Sequence, residues 1–179
     1  MSRVDSSIEM NAPVSTVYNQ WTQFEEFPRF MTGVQEVRQL DESRLVWTME
    51  VGGRRREWLV HISRQVPDQV VSWESEDGAD HSATVVFKAL TPDKTRMDLH
   101  LEFEPDFYGL APADASRLMA TQVAGDLGRF KQFVEARGAE TGAWRGEIIH
   151  GEERPVAPLM DSSNAPPEEQ LRFNVTPLQ

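Results

Sequence analysis

The 179-residue chain contains no cysteine, which excludes disulfides and all thiolate chemistry, catalytic or metal-binding. It is also short of positive charge: 18 Lys and Arg stand against 29 Asp and Glu, for a net charge of −11 and a pI near 4.8. Neutralising a phosphate backbone needs a basic surface, so this balance argues against a nucleic-acid partner. The one basic cluster, Arg54-Arg55-Arg56, fits a solvated hairpin end. No stretch of about 18 apolar residues occurs, so no membrane-spanning helix is expected. The N-terminal MSRVDSSIEMNAP has no apolar core of the secretory kind, and the expected location is the cytoplasm. Four histidines (His61, His81, His100, His150) are scattered without ligand spacing, so no metal site is expected. GxSxG, P-loop and dinucleotide signatures are missing as well, and no cofactor is implied.

What is present is an ordinary globular composition, 39% hydrophobic and 26% charged, of a length that suits one domain with a tail. The run VYNQWTQFEEFPRFM places an aromatic at every third position: Tyr18, Trp21, Phe24, Phe27 and Phe30. At about 100° per residue, a three-residue step falls short of a full turn, so one straight helix would spread these rings around its circumference. Pro28 also lacks the donor a helix interior needs. The spacing predicts two short helical pieces with a kink, together forming an aromatic wedge.

Alternating apolar and polar residues predict a strand over Val4 to Met10. Six more follow the wedge: Val34 to Leu40, Leu45 to Val51, Trp58 to Arg64, Val70 to Ser75, Ala83 to Ala89 and Met97 to Phe103. Turn formers bound each one, among them Gly52-Gly53 and Asp77-Gly78. A two-residue Gly52-Gly53 loop sets a register in which Met49 faces Arg56, Trp47 faces Trp58 and Leu45 faces Val60, all on one face. Cross-strand aromatic pairs of this kind contribute about 0.2–1 kcal/mol each. The sheet therefore has a greasy inside.

Asp114 to Arg137 carries apolar residues at three- and four-residue steps (Leu118, Met119, Val123, Leu127, Phe130, Phe133, Val134). Asp114 reads as the N-cap and Gly138 as the stop, giving a helix roughly 35 Å long that can cross the sheet. Gly125 and Gly128 within it need a reason, since each costs about 1 kcal/mol against Ala. Close packing on the sheet is one, and space left for a guest is the other. From residue 140 onward, five prolines, seven acids and three bases replace the periodic pattern. This is linker-like composition, with Gln170 to Val175 a short candidate docking segment.

This order of elements, with the segments MNAPVSTVYNQWTQFEEFPRFM, EWLVHISRQVPDQVVSWES and GDLGRFKQFVEARG, resembles the START-like (SRPBCC, helix-grip) superfamily. Within it, the chain is similar to the polyketide cyclase/dehydrase and lipid-transport group that includes coenzyme Q-binding proteins. The resemblance covers residues 3 to about 138. It implies an α+β helix-grip fold: a seven-stranded antiparallel sheet wrapped around a long C-terminal helix, with two short helices after strand 1 enclosing one end of an apolar cavity. The expected division is a ligand-binding domain over 1–139 and a Pro- and acid-rich tail over 140–179, flexible or docking in trans.

The expected cavity lining comes from Trp47, Met49, Trp58, Val60 and Trp73, then Val85, Phe87, Leu99, Leu101 and Phe103 of the sheet. Phe27 and Phe30 join from the wedge, and Met119, Val123 and Leu127 from the helix. Arg56 and Ser75 are polar candidates on the same parity, Arg56 able to reach a carbonyl or anionic head group. His81 shares that parity and titrates near neutral pH, although its place beside Asp77-Gly78 also fits a solvated loop. Arg56, His81 and Tyr18 are the available acid–base candidates. Three functions stand open. They are a carrier or sensor of an apolar small molecule such as a lipid, isoprenoid or polyketide, an enzyme of the cyclase/dehydrase type, and an interaction module with a filled core. A homodimer is open to each.

Overall fold

The computed structural model describes residues 1–51, 53–76, 81–108, 111–150 and 152–154. The Gly52 and Asp77-Gly78 turn positions and the 170–175 segment lie outside the described residues.

The chain opens with β1 (Ser2–Met10), whose alternation buries Val4 and Met10. Pro13, with its fixed φ, leads into α1 (Val14–Trp21). Thr22 ends that helix, its hydroxyl donating to the Asn19 carbonyl at 2.6 Å. A 3-10 turn (Phe24–Arg29) with Pro28 inside completes the wedge, so the expected two-piece geometry holds. Six strands follow as a meander: β2 (Val34–Gln39), β3 (Arg44–Val51), β4 (Arg54–Val66), β5 (Val70–Ser75), β6 (His81–Thr91) and β7 (Lys94–Phe103). All pairings are antiparallel, in the order β1-β7-β6-β5-β4-β3-β2. Trp47 faces Trp58 and Met49 faces Arg56, the register expected from the sequence.

The sheet's concave side is covered by α2 (Pro112–Arg137). This helix begins two residues before the expected start. Pro112 occupies its first turn, where a missing N–H is harmless, and Asp114 instead pairs with Arg117 at 2.8 Å. Gly138 closes it in the left-handed conformation at φ 71°, its N–H donating to the Val134 carbonyl. Val123, Leu127, Phe130 and Val134 are buried, while Leu118, counted with that face by its spacing, points outward.

Two features escape the alternation pattern. A bulge between Ile62 and Arg64 shifts β4 by one residue, so Arg64 faces out and Gln65 turns inward to 1% exposure. Residues 140–150, which composition assigns to the tail, pack on the domain as an ordered arm. Thr141 exchanges two hydrogen bonds with the Gln20 amide, and the Trp144 N–H donates to Thr22 Oγ1. Arg145 bonds Asn19 and pairs with Asp68. Beyond it, β8 (Glu147–Ile149) adds to β4 and pairs with β9 (Glu152–Arg154), and Ile148 is fully buried. These contacts also explain why α1 carries buried Asn19 and Gln20: the arm satisfies them.

Candidate functional site

The inner sheet face and α2 do not meet everywhere. Between them lies a cavity of about 80 Å³. Trp47, Met49, Trp58 and Trp73 form one wall, and His81, Ala83, Leu99 and Leu101 continue it. Trp21, Met31 and Val34 close the wedge side. Met119, Gln122, Val123, Asp126 and Leu127 supply the helix side. Alternation puts the tryptophans there, and the rings of Trp47 and Trp73 stack with centroids 6.0 Å apart.

Nine of the expected lining residues meet at this cavity: Trp47, Met49, Trp58, Trp73, Leu99, Leu101, Met119, Val123 and Leu127. The others lie outside its wall. Phe27 and Phe30 are fully packed, Phe27 against Trp21 at 4.8 Å and Phe30 against Phe130 at 4.9 Å. The wedge is thus solid core bounding the cavity, with Trp21 and Met31 touching it in place of the two phenylalanines. Val60, Val85 and Phe103 are wholly buried in filled core. Phe87 packs edge-on to Tyr18, and Ser75 is buried where β5 pairs with Val60. Arg56 sits opposite Met49 in register but does not line the cavity.

The acid–base candidates separate. Tyr18 is buried away from the cavity lining, beside Gln65, and burial pushes its phenol up to about 12. His81, the first residue of β6, is buried in the cavity wall and is not a solvated loop residue. Burial pushes its imidazole down to about 4, so it is neutral at physiological pH.

The residues that spacing missed are polar ones. Burial raises the Asp126 carboxyl above its ordinary value, while Arg129, Gln122 and the Thr32 N–H donate to it and hold it back. Gln122 also donates to Thr32 Oγ1 at 3.0 Å, and Arg129 Nε to the Phe30 carbonyl at 2.8 Å. This network ties the loop after the wedge to α2 beside Met31. One signal was available: Gln122 and Asp126 stand three residues on from Met119 and Val123, on the cavity side of the helix. Neither helix glycine packs against the sheet. A Cβ on Gly125 would lie 3.2 Å from the Arg129 guanidinium, and one on Gly128 would meet nothing within 4 Å. Among the described residues, no cluster of His, Cys, Asp or Glu could hold a metal, and no helix is long and apolar enough to cross a membrane.

The family described as polyketide cyclase / dehydrase and lipid transport matches residues 10–132. A 17.2 kDa protein of Streptomyces lincolnensis is 43% identical over 150 residues, covering 83% of this chain and all of that protein. Among solved structures, the Zhui aromatase/cyclase from Streptomyces sp. R1128 aligns with a TM-score of 0.62 at 16% identity, over 80% of this chain and 99% of that one. A START superfamily protein from Mycobacterium smegmatis aligns at 0.63 and 16%, over 75% and 98%. At such identities these structures speak to the fold.

Proposed function

The chain belongs to the polyketide cyclase/dehydrase and lipid transport family, and on that premise we propose that its interior cavity binds a hydrophobic small molecule for transport or sensing. The supporting observation is the wall: four tryptophans, three methionines and six aliphatic residues, with His81, Gln122 and Asp126 the polar side chains besides the indoles. A lipid, isoprenoid or polyketide chain gains about 25 cal/mol per Å² of apolar surface buried there, before association costs. Neutral His81 and the Gln122 amide can meet one carbonyl or hydroxyl without burying a new charge.

Size decides how much of the guest enters. At about 80 Å³ the cavity is smaller than the ~150 Å³ that admits benzene and far below the ~300–1,000 Å³ of ordinary ligand sites. A slender chain end fits at once, and a larger guest enters as Met31, Met49 and Met119 swing aside. Unbranched thioethers do this at low cost. Native mass spectrometry of gently purified protein, followed by denaturation and extraction, should release an apolar molecule. Thermal scans with a fatty acid, an isoprenoid alcohol and an aromatic polyketide should raise Tm for at least one class. A clean apo mass together with three flat scans contradicts the reading.

The cyclase/dehydrase reading is second, and His81 favours it. A neutral imidazole in an apolar cavity is able to accept the proton of an acidic carbon next to a ketone. His81→Gln separates the two: lost turnover with retained ligand binding supports an enzyme, and unchanged turnover of a poly-β-ketone removes His81 from that role.

A further inference from the structure

A second hollow, of about 290 Å³, opens where α1 ends, and it shares no lining residue with the apolar cavity. Residues 22–26 of the wedge form one side, and Gln39 and Gln65 of the sheet form another. The arm closes it with Ala143 and Trp144. Those two residues lie beyond the stretch that matches the family. The arm is fitted closely there: a Cβ on Gly142 would stand 2.5 Å from Gln23 Oε1, and one on Gly146 would strike the Trp144 ring at the same distance.

Gln65 shows that the hollow is built for something. The β4 bulge turns its side chain inward, where it is 1% exposed, and it lines this space. The Tyr18 hydroxyl reaches this amide, and beyond it neither Nε2 nor Oε1 has a hydrogen-bond partner among the described residues. A buried amide with a single hydroxyl partner keeps part of its desolvation cost, which a bound donor and acceptor would remove. The rest of the wall has a definite charge. Glu25 and Glu26 line it, no Lys or Arg does, and among the described residues only Glu26 has an ion-pair partner, Arg29 at 3.0 Å. Phe24 and Trp144 add aromatic faces, which attract organic cations.

We propose that the hollow between the wedge, Gln65 and the arm binds a small amine whose other end carries an amide. The ammonium sits by Glu25 and the aromatic rings, and the amide pairs with both atoms of the Gln65 side chain. The site is independent of the apolar cavity, so each reading stands or falls alone.

Full-length protein titrated with ε-aminocaproamide tests the assignment by ¹H–¹⁵N NMR. Saturable shifts of the Gln65 side-chain amide and the Trp144 indole N–H are expected at millimolar ligand. Caproamide and hexylamine, each with one end only, should bind at least ten-fold more weakly. Gln65→Leu removes the buried amide and Glu25→Gln removes an exposed charge, and each should weaken binding at least ten-fold with the fold intact. The proposal is overturned by no shift at either reporter, by equal binding of the one-ended molecules, or by full affinity in Glu25→Gln. Long-lived water on the Gln65 amide that the ligand does not displace overturns it too.

Discussion

Two parts of the interior are equally greasy and end up differently packed. Around the wedge, Trp21, Phe27, Phe30 and Phe130 interlock with ring centroids 4.8 to 5.5 Å apart, and all four are buried. A few ångströms away, Trp47, Trp58 and Trp73 face Met119, Val123 and Leu127 across open space. The difference lies in what the helix presents. Opposite the wedge it offers Phe130, wide enough to fill the gap. Opposite the tryptophans it offers slim Val123 and flexible Met119, while Gln122 and Asp126 spend their contacts on the Thr32 loop. Apolar composition says that a region is inside. The match of side-chain widths across the layers says whether it is full.

Large-to-small substitutions should expose that contrast most strongly. Phe130→Ala leaves a void among rings that cannot collapse, and should cost about 3–5 kcal/mol in urea unfolding. Leu99→Ala, beside existing space, should cost less, toward ~2 kcal/mol, and equal losses would mean both ends are equally packed. Acid comes next. The folded pKa of His81, about 4, lies below its unfolded 6.5, so in that window the unfolded chain holds a proton the folded chain lacks. Stability should therefore fall as pH drops from about 6.5 to 4, by up to ~3 kcal/mol, and His81→Gln should flatten that slope. Asp126, raised by burial, works in the opposite sense at the acid end, taking up its proton in the folded state first.

Ending the chain after Gly138 removes the buried Ile148 and the Arg145–Asp68 pair, and should cost about 2–3 kcal/mol. Apolar ligand binding should survive, because the arm does not line the cavity. The smallest effect should be a gain. Gly128→Ala places a methyl in open space on a helix and should stabilise by up to ~1 kcal/mol. If it also blocks an apolar ligand, the glycine was leaving room for the guest.

The seven-strand meander, the β3–β4 register and the two-part wedge were legible in the sequence because each rests on local periodicity and turn chemistry. So was the greasy face bearing Trp47, Trp58 and Trp73. Parity could not separate Phe30 from Met31, since both are apolar and only the turn of the wedge decides which reaches the cavity. Gln65 was hidden by a bulge that shifts the alternation by one residue. The arm was hidden by its composition: one buried isoleucine and hydrogen bonds to polar residues on α1 hold it, and neither makes a periodic signal.

The most direct test is a crystal structure of the full chain under xenon pressure, since a xenon atom needs only an apolar hollow. The account predicts xenon between Trp47, Trp73 and Val123, with none among Phe27, Phe30 and Phe130. An interior without xenon, or xenon within the wedge alone, would contradict it.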